Sequence, residues 1–124
     1  MAVLGTKHYS QFTGPPIYQG KHTTVAATGT LLSQSTITND TPATGQTPKV
    51  LPLKTTAIQG IQLTNLDATD SIYLDHSSNI SATLFSKKLG PGECYEVEAD
   101  MNWLLGLYTY PSANTPAMRV TILL

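Results

Sequence analysis

The amino-acid sequence predicts an all-β protein, an antiparallel β-sandwich of about seven or eight strands, jelly-roll-like, that follows an extended N-terminal arm. Short runs rich in β-branched and aromatic residues alternate with turn residues, most densely between residues 65 and 98. Glycine or proline interrupts nearly every window that is long enough to hold a helix. The length of 124 residues fits one domain with a two-sheet core.

The first 22 residues are predicted to be the arm, and residues 23–124 the sandwich domain. Gly14, Pro15 and further glycines and prolines break any regular period in the arm. A free, solvated tail is usually poor in aromatic residues, so this segment is expected to lie on a surface, either of its own sandwich or of a neighbouring subunit. The side chains that would make this contact are Tyr9, Phe12, Ile17 and Tyr18.

The first half of the sandwich is predicted from short apolar runs and their breaks. Residues 23–32 read as a strand with a bulge at Gly29, and residues 33–48 as a long polar loop. Residues 50–54 fit a short edge piece, because Pro52 has no N–H to donate to a central ladder.

The next strands follow at regular intervals. Residues 58–63 begin a stronger apolar alternation with a bend at Gly60, and residues 71–75 form a compact strand. Residues 76–79 turn the chain, and residues 80–85 are predicted to return as a strand.

The C-terminal part begins with a Gly-Pro-Gly sequence at residues 90–92, which predicts a tight turn with preset proline geometry. Residues 93–98 then alternate as a strand with one solvated face, and residues 118–124 form the closing strand. Between them, residues 102–110 are predicted to be a strand that is apolar on both faces.

Such a doubly apolar strand is typical of a central or an interface position. Leu104 and Tyr108 lie on one predicted face, opposite Trp103, and Tyr110 follows at its end. Leu104, Tyr108 and Tyr110 are therefore candidate interface residues. An alternative is that Trp103, Tyr108 and Tyr110 form a platform on which a sugar ring stacks.

Composition argues against several classes of partner. Only 12% of the residues are charged and the formal net charge is -1, so no basic face for nucleic acid is expected. No apolar run approaches the ~20 residues of a membrane span, and the start of the chain does not resemble a signal peptide. The single cysteine, Cys94, leaves no partner for an internal disulfide, and its glutamate neighbours are expected to raise its pKa.

No catalytic or metal motif is found in the sequence. The histidines at positions 8, 22 and 76 share no ligand spacing, and the aspartates between residues 67 and 75 fit turns better than a calcium loop. The glutamates between residues 93 and 98 fit a solvated strand face, and there is no Gly-x-Ser-x-Gly elbow or glycine-rich phosphate loop. We therefore expect neither enzymatic activity nor a metal or other cofactor.

Residues 64–124 carry an ordered set of short motifs. In chain order they are an asparagine turn at Asn65, Ser-Ile-Tyr-Leu at residues 71–74, Leu-Gly-Pro-Gly-Glu at residues 89–93, an aromatic strand at residues 103–108, and Arg-Val-Thr-Ile-Leu at residues 119–123. In this order the motifs resemble small structural proteins of tailed-bacteriophage virions.

The resemblance implies a capsid decoration (cement) subunit that stabilises the shell, or a neck, tail or baseplate component. The implied partners are the major capsid protein or other virion proteins and further copies of the chain, so a homo-oligomer is expected. The implied location is the virion, after synthesis in the host cytoplasm, and no catalytic residues carry over. A carbohydrate-binding module for host recognition remains the alternative from another class.

Overall fold

The protein folds into strands with a single helical turn, as seen in a computed structural model that describes residues 16–33, 35–39 and 50–123. In chain order these ranges contain β1 Pro16–Thr23, β2 Thr30–Leu31, β3 Ile37–Asn39, β4 Gly60–Asn65, β5 Ile72–Asp75, β6 Lys87–Leu89, β7 Cys94–Val97, α1 Met101–Leu104, β8 Tyr108–Pro111 and β9 Ala117–Leu123.

The strands form two antiparallel sheets that pack face to face. The five-stranded sheet has the order β3-β1-β9-β4-β7, and the four-stranded sheet has the order β2-β8-β5-β6. With the short edge strand β3 set aside, these are two four-stranded sheets in the connectivity of a jelly roll. The predicted all-β antiparallel sandwich is confirmed.

The core lies between the sheets because alternate side chains of each strand point inward. Ile61 and Leu63 of β4 face Ile72 and Leu74 of β5, and all four are buried. Large side chains from other elements complete the same cluster: Tyr18, Leu89, Met101, Leu104, Leu107, Met118, Val120 and Ile122.

The last seven residues of the expected arm belong to the sandwich. Residues 16–22 lie in β1, which pairs with both β3 and β9 inside the five-stranded sheet, whereas residues 1–15 lie outside the described residues. The glycine that suggested a break has a packing role, because a side chain at Gly20 would collide with the ring of Tyr18. The sandwich therefore begins no later than Pro16.

The predicted strand over residues 102–110 is wrong in its first half, which forms α1. Asp100 caps this turn, and its Oδ1 accepts a hydrogen bond of 2.9 Å from the N–H of Trp103. The next backbone bond, from Leu105 N–H to the Met101 carbonyl, is 2.9 Å long. A four-residue turn is too short to produce a helical period in the sequence.

Two other predicted strands differ from the structure. Residues 23–32 are interrupted by a tight turn in which Val25 pairs with Thr28, and Gly29 packs against Ile80 instead of forming a bulge. Residues 80–85 do not form the return strand, because Ser81 and Leu84 bond to each other across a turn and β6 pairs with β5 instead.

The predicted loop at residues 33–48 and the predicted edge piece at residues 50–54 also differ from the structure. The polar loop at residues 33–48 contains β3, and residues 50–54 run without a strand. By contrast, β4, β5, β7 and β9 lie where the alternation predicts them.

The turn at residues 90–92 forms as predicted. Glu93 N–H donates to the Gly90 carbonyl at 3.0 Å, and Gly92 has a φ of 73°. This left-handed conformation at the third turn position follows proline in a type II turn, and glycine adopts it without a steric penalty.

Gly92→Ala is expected to lower the free energy of unfolding by about 1 kcal/mol, because alanine resists a positive φ. Nothing lies within 4 Å of the added Cβ, so the loss comes from the backbone alone. Urea unfolding of Gly92→Asn is expected to give an intermediate loss, since asparagine tolerates this region. Equal stability of the native protein, Gly92→Ala and Gly92→Asn would contradict the assignment of a type II turn.

Candidate functional site

The outer surface of the four-stranded sheet carries a group of aromatic side chains. Ile72 and Leu74 of β5 point into the core, so Tyr73 points outward. Thr109 of β8 is buried and bonds to His22 inside the sandwich, so its neighbours on the strand point outward as well. We call the outward set Leu31, Tyr73, Phe85, Tyr108 and Tyr110 the aromatic face.

Strand register brings the members of this face together. Tyr73 lies directly beside Tyr110 of β8, and Tyr108 lies beside Leu31 of β2. The ring centroid of Tyr73 is 6.5 Å from that of Tyr110 and 4.5 Å from that of Phe85. These tilted arrangements at 4.5–7 Å are the favourable ones for aromatic pairs.

Exposure differs across the aromatic face. Tyr73 is only 9% exposed because its neighbours cover it, whereas Leu31 and Phe85 are 38% and 37% exposed. Tyr108 and Tyr110 are half-buried. The face therefore consists of a fixed central ring surrounded by apolar side chains that another molecule can cover.

The loop before β6 holds Phe85 in this position. Ser86 donates from its N–H and its hydroxyl to the Leu74 carbonyl, both at 3.0 Å. Ser81 Oγ accepts from the N–H groups of Thr83 and Leu84 at 3.2 and 3.1 Å, which closes a turn. These bonds leave Leu84 50% exposed beside Phe85.

Charged groups lie at the border of the aromatic face. Lys88 of β6 is the register neighbour of Tyr73, and its Nζ lies 5.9 Å from that ring centroid. Asp75 is the register neighbour of Tyr108. An apolar centre with a polar rim is the usual anatomy of a protein interface.

The outer surface of the five-stranded sheet is polar instead. Register places Gln19, Thr121, Gln62 and Glu96 in one row across β1, β9, β4 and β7. Gln19 Nε2 donates to Thr121 Oγ1 at 3.3 Å, and Gln62 Nε2 donates to Glu96 Oε2 at 2.5 Å. The sandwich thus has one aromatic and one polar outer face.

Trp103 belongs to a separate aromatic group at the edge between β6 and β7. Its ring is 5.1 Å from that of His76 and 6.5 Å from that of Tyr95, and the His76 ring bonds to the Trp103 carbonyl at 2.9 Å. Trp103 also packs against the core. It therefore does not form one platform with Tyr108 and Tyr110.

The predicted interface residues have different locations. Tyr18 and Leu104 are 0% exposed within the core of the same chain, so neither is available to a partner. Tyr108 and Tyr110 share the aromatic face. Tyr9 and Phe12 lie outside the described residues, as does the side chain of Ile17.

Three members of the aromatic face, Leu31, Tyr73 and Phe85, were not identified from the sequence. Tyr73 can be inferred from its position between the inward residues Ile72 and Leu74. Nothing in the sequence indicates that Phe85 folds back onto Tyr73.

Residues 16–33, 35–39 and 50–123 contain no group of three or more His, Cys, Asp or Glu side chains arranged to hold a metal ion. Burial raises the pKa of the Cys94 thiol, and the charge of Glu96 adds to this, although a hydrogen bond with Thr64 opposes it. None of the helical structure in these ranges has the length and hydropathy to cross a membrane.

Comparison with protein-family models, curated proteins and solved structures found no match to this chain.

Proposed function

We propose that the protein is a non-enzymatic structural subunit that docks on other proteins through the aromatic face, and that it decorates the capsid of a tailed bacteriophage. The observation that carries the docking is the aromatic face itself. Its tyrosines combine large apolar area with polar hydroxyls and lose little conformational entropy on binding, which is why this residue type is enriched at interfaces.

The face is also rigid. Tyr73, Tyr108 and Tyr110 project from paired strands, and Phe85 is fixed by the bonds of Ser86. A partner that covers ~300 Å² of apolar area here would gain about 7 kcal/mol before the cost of association. One such contact is weak, but copies repeated on a lattice or in a symmetric oligomer bind cooperatively through multivalency.

Assignment to a virion rests on the motifs of residues 64–124, which resemble tailed-phage structural proteins. Jelly-roll sandwiches are common in viral capsid proteins, but they also occur in lectins and enzymes, so the topology alone does not select a function. The proposed partners are the major capsid protein or other virion proteins, and copies of this chain. Imaging of particles separates a shell location from a neck, tail or baseplate location.

The test is binding of purified protein to phage particles assembled without it, measured by cosedimentation. The variant with Tyr108→Ser and Tyr110→Ser is expected to bind at least about tenfold more weakly, since central aromatic residues dominate interface energies. The matched control, Gln19→Ser with Lys21→Ser, changes the polar face and is expected to bind normally. Unchanged binding by a folded tyrosine variant would refute docking through this face.

A carbohydrate-binding, host-recognition module is the second candidate. Half-buried tyrosine rings on the outer surface of a sheet can also stack on sugar rings. A glycan array with the same two variants separates the candidates. Sugar binding by the native protein that is lost in the variant with Tyr108→Ser and Tyr110→Ser would favour this alternative. An array on which the native protein binds no sugar would eliminate it.

A further inference from the structure

His22 occupies a buried junction between the two sheets. The residue is 0% exposed and lies in β1 of the five-stranded sheet. Its Nδ1 is 3.2 Å from the carbonyl oxygen of Thr36, in the turn that precedes β3. Its Nε2 is 2.8 Å from Oγ1 of Thr109, in β8 of the opposite sheet. One ring thus joins β1, the β3 segment and the four-stranded sheet.

The hydrogen-bond partners determine which nitrogen carries the proton. A carbonyl oxygen only accepts, so Nδ1–H donates to Thr36 and Nε2 accepts from the Thr109 hydroxyl. Both nitrogens of the neutral ring are satisfied. After protonation Nε2 becomes a donor, and the Thr109 hydroxyl has to turn toward the Thr30 carbonyl, which lies 3.5 Å away.

The surroundings of the ring offer no counter-ion among the described residues of the strands packed against it. Its register partners are Ile37 of β3 and Met118 of β9. Alternation directs the charged residues of β1 and β9 to the opposite side of the sheet. The titratable and charged groups on these elements are Lys21 and Arg119 on that opposite side, Tyr108 and Tyr110 on the aromatic face, and Tyr18, whose hydroxyl donates to Asn39.

We propose that His22 is an acid-sensitive latch that holds β3 and the preceding turn residues Ser35 and Thr36 against the sandwich, and that its protonation releases this edge. A charge buried without a counter-ion is costly, and water reaches the ring most easily where its contacts are weakest. That place is β3, a three-residue edge strand whose only strand partner in the described ranges is β1.

The direction of the pH effect follows from burial. Desolvation lowers the pKa of His22 below the ordinary histidine value of 6.5, and the bond to Thr36 opposes this only in part. A histidine ring that water reaches binds a proton at about pH 6.5, whereas burial lets the ring of the closed state bind it only at lower pH. The closed state is therefore fully stable above that pH and loses stability as the pH falls below it.

Release of β3 would leave backbone N–H and C=O groups of β1 unpaired at residues 20–22, where register now joins the two strands. Unpaired strand edges accept an added strand from another chain. The latch would thus expose a β-pairing site under mildly acidic conditions.

Hydrogen–deuterium exchange at pH 7.5 and pH 5.0, corrected for intrinsic exchange rates, tests the latch in the full chain. Amides of residues 35–39 are expected to exchange about tenfold faster at pH 5.0, while those of β4 stay protected. His22→Gln keeps a donor and an acceptor without the charge, so this variant is expected to lose the response. The control His76→Gln, at an exposed histidine, is expected to retain it.

Two results would overturn the latch: pH-independent protection of residues 35–39 in the native protein, or an undiminished response in His22→Gln. If His22→Gln does not fold, ring ¹⁵N shifts of the native protein decide the matter. The latch requires that the His22 ring is the Nδ1–H tautomer at pH 7.5. It also requires that the ring titrates over the same pH range in which amide exchange of residues 35–39 becomes faster. An Nε2–H tautomer would exclude it.

Discussion

Replacing Asn65 by alanine is expected to lower the free energy of unfolding by about 3 kcal/mol, because several buried backbone groups lose their partner together. Asn65 ends β4 and is 1% exposed. Its Nδ2 donates to the carbonyls of Asp70, Leu89 and Gly90 at 2.8, 3.1 and 3.1 Å, and its Oδ1 accepts from Asp67 N–H at 3.0 Å. One amide thus joins the loop after β4 to the Gly-Pro-Gly turn.

Asn65→Asp is expected to destabilise the protein in a pH-dependent way, since a carboxylate that replaces the amide group faces carbonyl oxygens and has no proton to donate. Its loss of stability should shrink as the pH falls and the new carboxyl protonates. Asn79→Ala, at an exposed asparagine, serves as the control and should change stability by less than about 0.5 kcal/mol. Urea unfolding gives the free energy of unfolding of the three variants Asn65→Ala, Asn65→Asp and Asn79→Ala. An Asn65→Ala protein as stable as the native one would disprove the cross-link.

Tyr18→Ala is expected to cost about 3–5 kcal/mol of folding free energy, as for other large aromatic side chains removed from a core. The ring is 0% exposed, and its hydroxyl donates to Asn39 Oδ1 at 2.6 Å. Tyr18→Phe removes only the hydroxyl and is expected to cost about 1 kcal/mol. Thermal unfolding gives both values, and Gln19→Ala, next to it on the exposed side of β1, is the control.

The same experiment separates the core role of Tyr18 from the interface role that the sequence suggested. An interface residue would leave the monomer stable and change its association, whereas a core residue changes stability itself. If Tyr18→Ala folds with native stability, the buried ring contributes little to folding stability, and an interface role for Tyr18 has to be considered again. Any truncation that tests the expected arm has to stop at residue 15, because removal of residues 16–20 would destroy β1.

The fold class was predictable because its signals are local. Alternation in residues 72–75 and 94–97 defines β5 and β7, and the Gly-Pro-Gly sequence defines the turn that leads into β7, without any knowledge of distant contacts. The signals that failed depend on tertiary structure. Gly20 looks like a break until the ring of Tyr18 is seen lying over it, and the helical turn after Asp100 is too short to show a period.

The candidate site was predictable only in part, for the same reason. Tyr108 and Tyr110 stand out from the sequence, whereas the contact of Tyr110 with Tyr73 depends on β8 lying beside β5. Phe85 joins them through a fold of the loop that has no sequence signature. The partners of His22 lie 14 and 87 residues away along the chain, so its buried junction emerges only from three-dimensional packing.

The position of β9 has a consequence for how the chain reaches its native state. The five-stranded sheet is made of two strand pairs, β3 with β1 and β4 with β7, and only β9 joins them. Pro16 and Leu123, which are neighbours in the sheet, are the first and the last residues that the structure describes. Such long-range pairing predicts slow folding. Until β9 docks, β1 and β4 each offer an open edge, so aggregation during refolding is expected to compete with the final closure of the sheet.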